Sequence, residues 1–153
     1  MTTAVQPAVA WRWLALAAAL LGFSAVLLGA AGSHAINLST AAAAQRWNTA
    51  LQIHYFQAAA LLALAALSVA QSVLRSVPIS STQHTTTTGS ELLLVPGWIQ
   101  LLGTLLFCGS LYLRALQINV LPGWITPLGG LTLLSGWLLL IVLLIGLLTR
   151  KRR

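Results

Sequence analysis

The side chains with the most chemistry to offer in this 153-residue chain are His34, His54, Tyr55, Gln57, Tyr112, Arg114 and Gln117. Two histidines raise a metal or a bis-histidine haem, because imidazole is the commonest metal ligand and haem iron can take an imidazole on each face. A zinc centre is incomplete with His34 and His54 alone, since it needs about four donors. A quinone or other lipophilic headgroup held by His54, Tyr55 and Arg114 is the other ligand option. Histidines at helix ends more often bond to backbone, so the expectation is a structural role, with no metal and no cofactor. Glu91 is the sole acidic residue, which excludes paired-carboxylate catalysis and carboxylate-rich cation sites. Cys108 is the sole cysteine, which excludes an internal disulfide and a cysteine zinc site. No nucleophile stands with a base and an orienting acid, and no P-loop or G-x-G-x-x-G motif occurs. The chain is expected not to be an enzyme, and no catalytic residue is assigned.

The elements that must position these residues are set by apolarity. Hydrophobic residues make up 58% of the chain and charged residues 6%, with a mean hydropathy of +0.90, far too apolar for a soluble domain. Four apolar stretches, residues 11–32, 51–74, 98–116 and 126–148, each supply the ~20 helical residues that cross ~30 Å of hydrocarbon. Backbone amides cannot stay unpaired in lipid, so each stretch is a helix. The second helix opens earlier, because Ser39 or Thr40 can cap it, alanines follow at 41–44, and no Gly or Pro interrupts residues 40–74. The predicted fold is an all-α integral membrane protein: one domain, residues 1–153, forming a four-helix transmembrane bundle with helices over about 11–32, 40–74, 98–116 and 126–148. The Ser/Thr-rich stretch 78–91, which contains His84, reads as a flexible linker, and residues 150–153 as a basic tail. The start imitates a signal peptide, but its apolar core is longer than usual, so it is expected to remain as the first helix.

Cations near helix ends are kept on the cytoplasmic side. Arg12, Arg75 and the tail residues Arg150, Lys151, Arg152 and Arg153 fall on the side of the termini, against Arg46 and Arg114 on the other. That asymmetry predicts both termini cytoplasmic in a bacterial inner membrane. The net charge of +7 is scattered or confined to the tail, so no nucleic-acid face is expected. Trp47 and Trp124 would mark the outer interface, and Trp11, Trp13 and Trp98 the inner one.

Lipid is as apolar as leucine, so membrane helices associate where small residues let backbones approach. Helix one offers Ala15, Ala18, Gly22, Ala25, Gly29 and Gly32, and helix two Ala59, Ala63, Ala66 and Ala70. Helix three offers Gly103, Gly109 and Ser110, and helix four Gly129, Gly130, Thr132 and Gly136, with Gly146 a little deeper. The seven polar candidates fall toward the outer helix ends, which predicts one outer polar cluster. Glu91 stands before helix three, so Arg114 near its far end is expected to meet helix-end carbonyls, a Gln or lipid phosphate.

Three segments carry a family resemblance. Residues 29–34 (Gly-Ala-Ala-Gly-Ser-His) are similar to a G-A-x-G-A-H motif at the end of helix one, and residues 102–112 to a segment of helix three. Residues 125–130 (Ile-Thr-Pro-Leu-Gly-Gly), with Gly136 and Trp137, are similar to TP-x-GG and GW motifs. In this order the region 29–137 resembles the small YgdD-like inner-membrane proteins grouped as domain of unknown function 423. The resemblance implies a four-helix inner-membrane fold and brings no biochemical role with it. Two features depart from the family pattern. His54 and Ala58 stand where the family shows a Y-x-x-x-H pair, and the 78–91 linker is longer than the family loop.

Without a catalytic constellation but with small-residue faces on several helices, the leading functional reading is a non-enzymatic membrane protein. It would act through lateral helix contacts, as a self-associating scaffold or as an accessory subunit of a larger membrane complex. Its partners are then the lipid bilayer and other membrane subunits or a second copy. The alternative is a binder of quinone or haem at the outer polar cluster.

Overall fold

Each of the four apolar runs becomes a helix long and apolar enough to cross a membrane. The computed structural model describes residues 10–76 and 92–150, and holds α1 (Ala10–His34), α2 (Ala41–Ser76), α3 (Leu94–Ala115) and α4 (Ile125–Arg150). The linker expected at 78–91 and the tail residues 151–153 lie outside the described residues. The connections 35–40 and 116–124 share one end of the bundle, called the loop end below. The start of α1 and the end of α2 share the other.

Local chemistry fixes the helix ends. Thr40 caps α2, its Oγ1 accepting the Ala43 N–H at 3.1 Å. Pro96 and Pro127 stand third in α3 and α4, within the first turn, where the missing N–H has no intrahelical partner to lose. For this reason α3 opens at Leu94, ahead of Pro96, rather than at the expected residue 98. At the other end of α3, Gln117 adopts φ 61°, and the N–H groups of Gln117 and Ile118 bond to the carbonyls of Arg114 and Leu113. That is a Schellman closure with glutamine in the position usually given to glycine.

α3 is the hub, packing against α4, α2 and, more lightly, α1, while α1 also packs along α2. Leu14, Ala18, Leu21, Ala58, Leu61, Leu64, Ala65, Leu93, Leu94 and Leu140 form the core of the half away from the loops. Trp47, Ala50, Cys108, Tyr112 and Ala115 form the core at the loop end. The α3–α4 seam is the closest approach. A Cβ on Gly129 would lie 2.5 Å from the Phe107 nitrogen, one on Gly103 would lie 2.7 Å from the Leu133 nitrogen, and one on Gly136 would lie 2.6 Å from Gln100 Cγ. Only hydrogen fits at these three positions. On α1, Gly29 lies under the Tyr55 hydroxyl, Gly32 under the Trp47 indole, and Gly22 in ordinary contact with Ala58. Gly130 meets only the Phe107 ring, at 3.7 Å.

Gly109, Gly146 and the alanine stripe of α2, all expected packing positions, do not serve the bundle itself. Nothing lies within 4 Å of where a Gly109 Cβ would stand, and Ala63 is exposed together with Ala59, Ala66 and Ala70. α2 buries a different face, made of His54, Gln57, Ala58, Leu61, Leu64, Ala65 and Ser68. Trp47, expected at the outer interface, is instead 2% exposed, since Gly32 opens space for its indole and Tyr112 meets it edge-on at 4.8 Å. Trp13 and Trp124 are exposed at opposite ends of the bundle. Trp137 stacks on Phe56 at 5.6 Å, joining α4 to α2.

Candidate functional site

His54 is the centre of the buried polar chemistry. Its position on α2 places Nε2 3.3 Å from Ser24 Oγ of α1 and Nδ1 3.3 Å from the Tyr112 hydroxyl of α3. Ser24 donates to the Leu21 carbonyl at 3.0 Å. A serine has one proton to give, so His54 Nε2–H donates to Ser24 Oγ; a buried ring with no carboxylate among the described residues stays neutral, which leaves Nδ1 to accept from Tyr112. The imidazole is therefore a neutral tie between three helices. No carboxylate occurs among the described residues to balance a charged one.

This arrangement bears directly on ligand chemistry. Both ring nitrogens are occupied, one by its proton and one by the Tyr112 hydroxyl, so a metal or haem iron would have to displace a structural bond. His34 is exposed at the end of α1, ten residues or about 15 Å along the helix from Ser24, the residue opposite His54. The two histidines do not share a coordination sphere, and the bis-histidine haem reading loses its geometry.

The seven candidate residues divide into separate groups. His54 and Tyr112 are bonded, and Gln57 lies one turn further along the same buried face of α2. Both carboxamide atoms of Gln57 are buried without a hydrogen-bond partner, as are those of Gln100 on α3. Tyr55 is 44% exposed, with its hydroxyl over Gly29. Arg114 is half-buried at the loop end, its Nη2 beside Gly123 and its Nε without a partner. Gln117 donates to Ser39 Oγ at 2.7 Å, joining the two loops. His34 makes no side-chain hydrogen bond among the described residues. Among the described residues, no side-chain hydrogen bond joins His34 or Arg114 to the His54–Tyr112 pair or to each other.

Ser24, Trp47 and the Ser110–Thr126 pair, whose hydroxyls meet at 2.8 Å across α3 and α4, lie outside the seven polar candidates; the sequence offers Ser110 only as a small packing residue and Trp47 only as an interface marker. Ser24 carried a usable signal, being the one hydroxyl in the apolar middle of α1.

The family described as protein of unknown function (DUF423) matches residues 28–130, a span that takes in His54, Gly103, Tyr112 and Gly129 and leaves Ser24 outside. The chain is 34% identical to the UPF0382 inner membrane protein YgdD of Escherichia coli K12 over 143 residues, 93% of this chain and 94% of the relative. It is 34% identical to a UPF0382 membrane protein of Haemophilus influenzae over 121 residues, 78% of this chain and 83% of the relative. With the UPF0382 membrane protein YwdK of Bacillus subtilis it shares 33% over 120 residues, 77% and 84% of the two chains. No solved structure matches the chain.

Proposed function

The chain belongs to the DUF423 family and is a multi-pass inner-membrane protein, and from that premise we propose that it works by lateral helix contact rather than by catalysis. In this reading it is a self-associating scaffold or an accessory subunit of a larger membrane complex. The observation that supports it is the division of α2 into two faces. One face is buried in the bundle, while Ala59, Ala63, Ala66 and Ala70 form a small-residue stripe that the chain leaves exposed. Small side chains gain little from lipid and let a second helix approach closely. The polar core points the same way, because its central histidine bonds helices together instead of presenting a free group. The reading also places both termini in the cytoplasm, supported by the cation count on the two sides.

Extraction in mild detergent followed by native mass determination tests the proposal. A homo-oligomer or a defined complex is expected, and Ala63→Leu with Ala66→Leu should weaken the association while the monomer stays folded. A strictly monomeric species with no co-purifying subunit would count heavily against it.

A further inference from the structure

At the loop end, the first turns of α2 pack beside the last turns of α3, where Trp47 and Ala50 meet Tyr112 and Ala115. Between the two helices lies an open groove of about 300 Å³, lined by Ala42, Gln45, Arg46 and Thr49 of α2 and by Phe107 and Leu111 of α3. The four α2 residues are spaced three, four and seven apart and so form one stripe. The groove is divided by chemistry: a guanidinium, a carboxamide and a hydroxyl on α2, and an aromatic ring and a leucine on α3.

None of the three polar side chains is hydrogen-bonded among the described residues, and none of those residues carries a carboxylate. The counterion of Arg46 must come from outside the described chain. An anion with a long apolar part fits both halves at once. We propose that this groove binds a glycerophospholipid of the leaflet at the loop end, with its phosphate held by Arg46, Gln45 and Thr49 and an acyl chain lying over Phe107 and Leu111. The arginine supplies paired donors that match a phosphate. A lipid held here would ride on the edge between α2 and α3, outside the His54 tie.

Native mass spectrometry of the full chain, delipidated in detergent and titrated with phosphatidylglycerol, diacylglycerol or inorganic phosphate, tests the site. Phosphatidylglycerol should remain bound at activation that strips diacylglycerol, and Arg46→Gln should lower its retention about tenfold, as expected on losing a charge-assisted bond. Leu111→Trp, which fills the apolar floor, should lower it with Arg46 intact; if the tryptophan variant fails to insert, Thr49→Val, which removes a hydroxyl from the phosphate end, should lower it instead. Arg114→Gln, at the other loop-end arginine, should leave retention unchanged. Equal retention in wild type and Arg46→Gln, an equal loss in Arg114→Gln, or equal binding of diacylglycerol would each overturn the proposal. Saturable binding of inorganic phosphate that displaces the lipid completely would overturn it too, by showing an anion site with no use for the acyl chain.

Discussion

The Tyr112 hydroxyl on α3 donates to Nδ1 of His54 on α2 across 3.3 Å, and the same tyrosine ring meets Trp47 edge-on at 4.8 Å. One side chain thus closes both the polar and the aromatic contact between these helices at the loop end. Through His54 and Ser24 the tie reaches α1 as well, so three helices are registered by a chain of neutral hydrogen bonds. Neutrality suits the setting, because an unpaired charge between membrane helices is expensive and no described residue could balance it.

Tyr112→Phe keeps the ring contact with Trp47 and removes only the donor. The expected loss is about 0.6 kcal/mol, with ~1.7 kcal/mol as the upper end for hydrogen bonds between membrane helices. His54→Ala should cost more, since it also empties a buried site. Reversible unfolding in mixed micelles measures both, and a double-mutant cycle should find the two changes coupled. Additive effects would show that the 3.3 Å contact contributes nothing to the fold.

Gln117 combines a strained backbone with a useful side chain. Its φ of 61° costs about 1 kcal/mol for a residue with a Cβ, and its bond to Ser39 returns about 1 kcal/mol. Gln117→Gly removes both and should leave stability nearly unchanged. Gln117→Ala keeps the strain and loses the bond, so it should destabilise by about 1 kcal/mol. If alanine proves no worse than glycine in the same unfolding assay, the tie between the two loops is not stabilising.

How much of this was legible beforehand depends on which contrast the sequence offers. The four helices were readable because hydrocarbon thickness sets a length and backbone satisfaction sets a conformation. His54 and Tyr112 were readable by type, as polar groups in apolar helices. The facing of α2 was not, for a physical reason: lipid and bundle interior are equally apolar, so no polarity difference separates a buried stripe from an exposed one. The stripe of Ala59, Ala63, Ala66 and Ala70 looked like the packing face and is exposed, while the buried face carries two polar residues, His54 and Gln57. Trp47 failed for a related reason. A tryptophan near a helix end suits the interfacial belt, and only the empty space over Gly32, on another helix, draws it inside.

The orientation proposed for the bundle puts the loop end, with Arg46 and Arg114, outside the cytoplasm. Reporter fusions after Arg153 and within residues 80–88 should both behave as cytoplasmic. Adding a lysine cluster in the 116–124 connection should weaken that preference by countering the charge asymmetry. Periplasmic activity from the fusion after Arg153 in the unaltered chain would reverse the assignment, and with it the leaflet from which the Arg46 groove draws its lipid.

The glycines of α3 and α4 provide the sharpest contrast, because the same substitution should act with opposite sign at different positions. At Gly129 an added methyl would meet the backbone nitrogen of Phe107 at 2.5 Å, and at Gly103 that of Leu133 at 2.7 Å. Backbone cannot move aside like the end of a side chain, so the helices must separate, which would stretch the Ser110–Thr126 bond at 2.8 Å in the same seam. Gly129→Ala and Gly103→Ala should each destabilise by about 1–3 kcal/mol, the usual cost of overpacking. Gly109 is also within α3, but nothing stands within 4 Å of its would-be Cβ. Gly109→Ala should therefore gain up to about 1 kcal/mol from helix propensity alone. Gly130, whose Cβ would reach only the Phe107 ring at 3.7 Å, should behave like Gly109 rather than like its neighbour Gly129. Unfolding of the four alanine variants in mixed micelles gives the ranking directly. A loss at Gly109 as large as that at Gly129 would mean that the α3–α4 seam is not where the close approach lies, or that the open face of α3 is covered by another helix in the membrane.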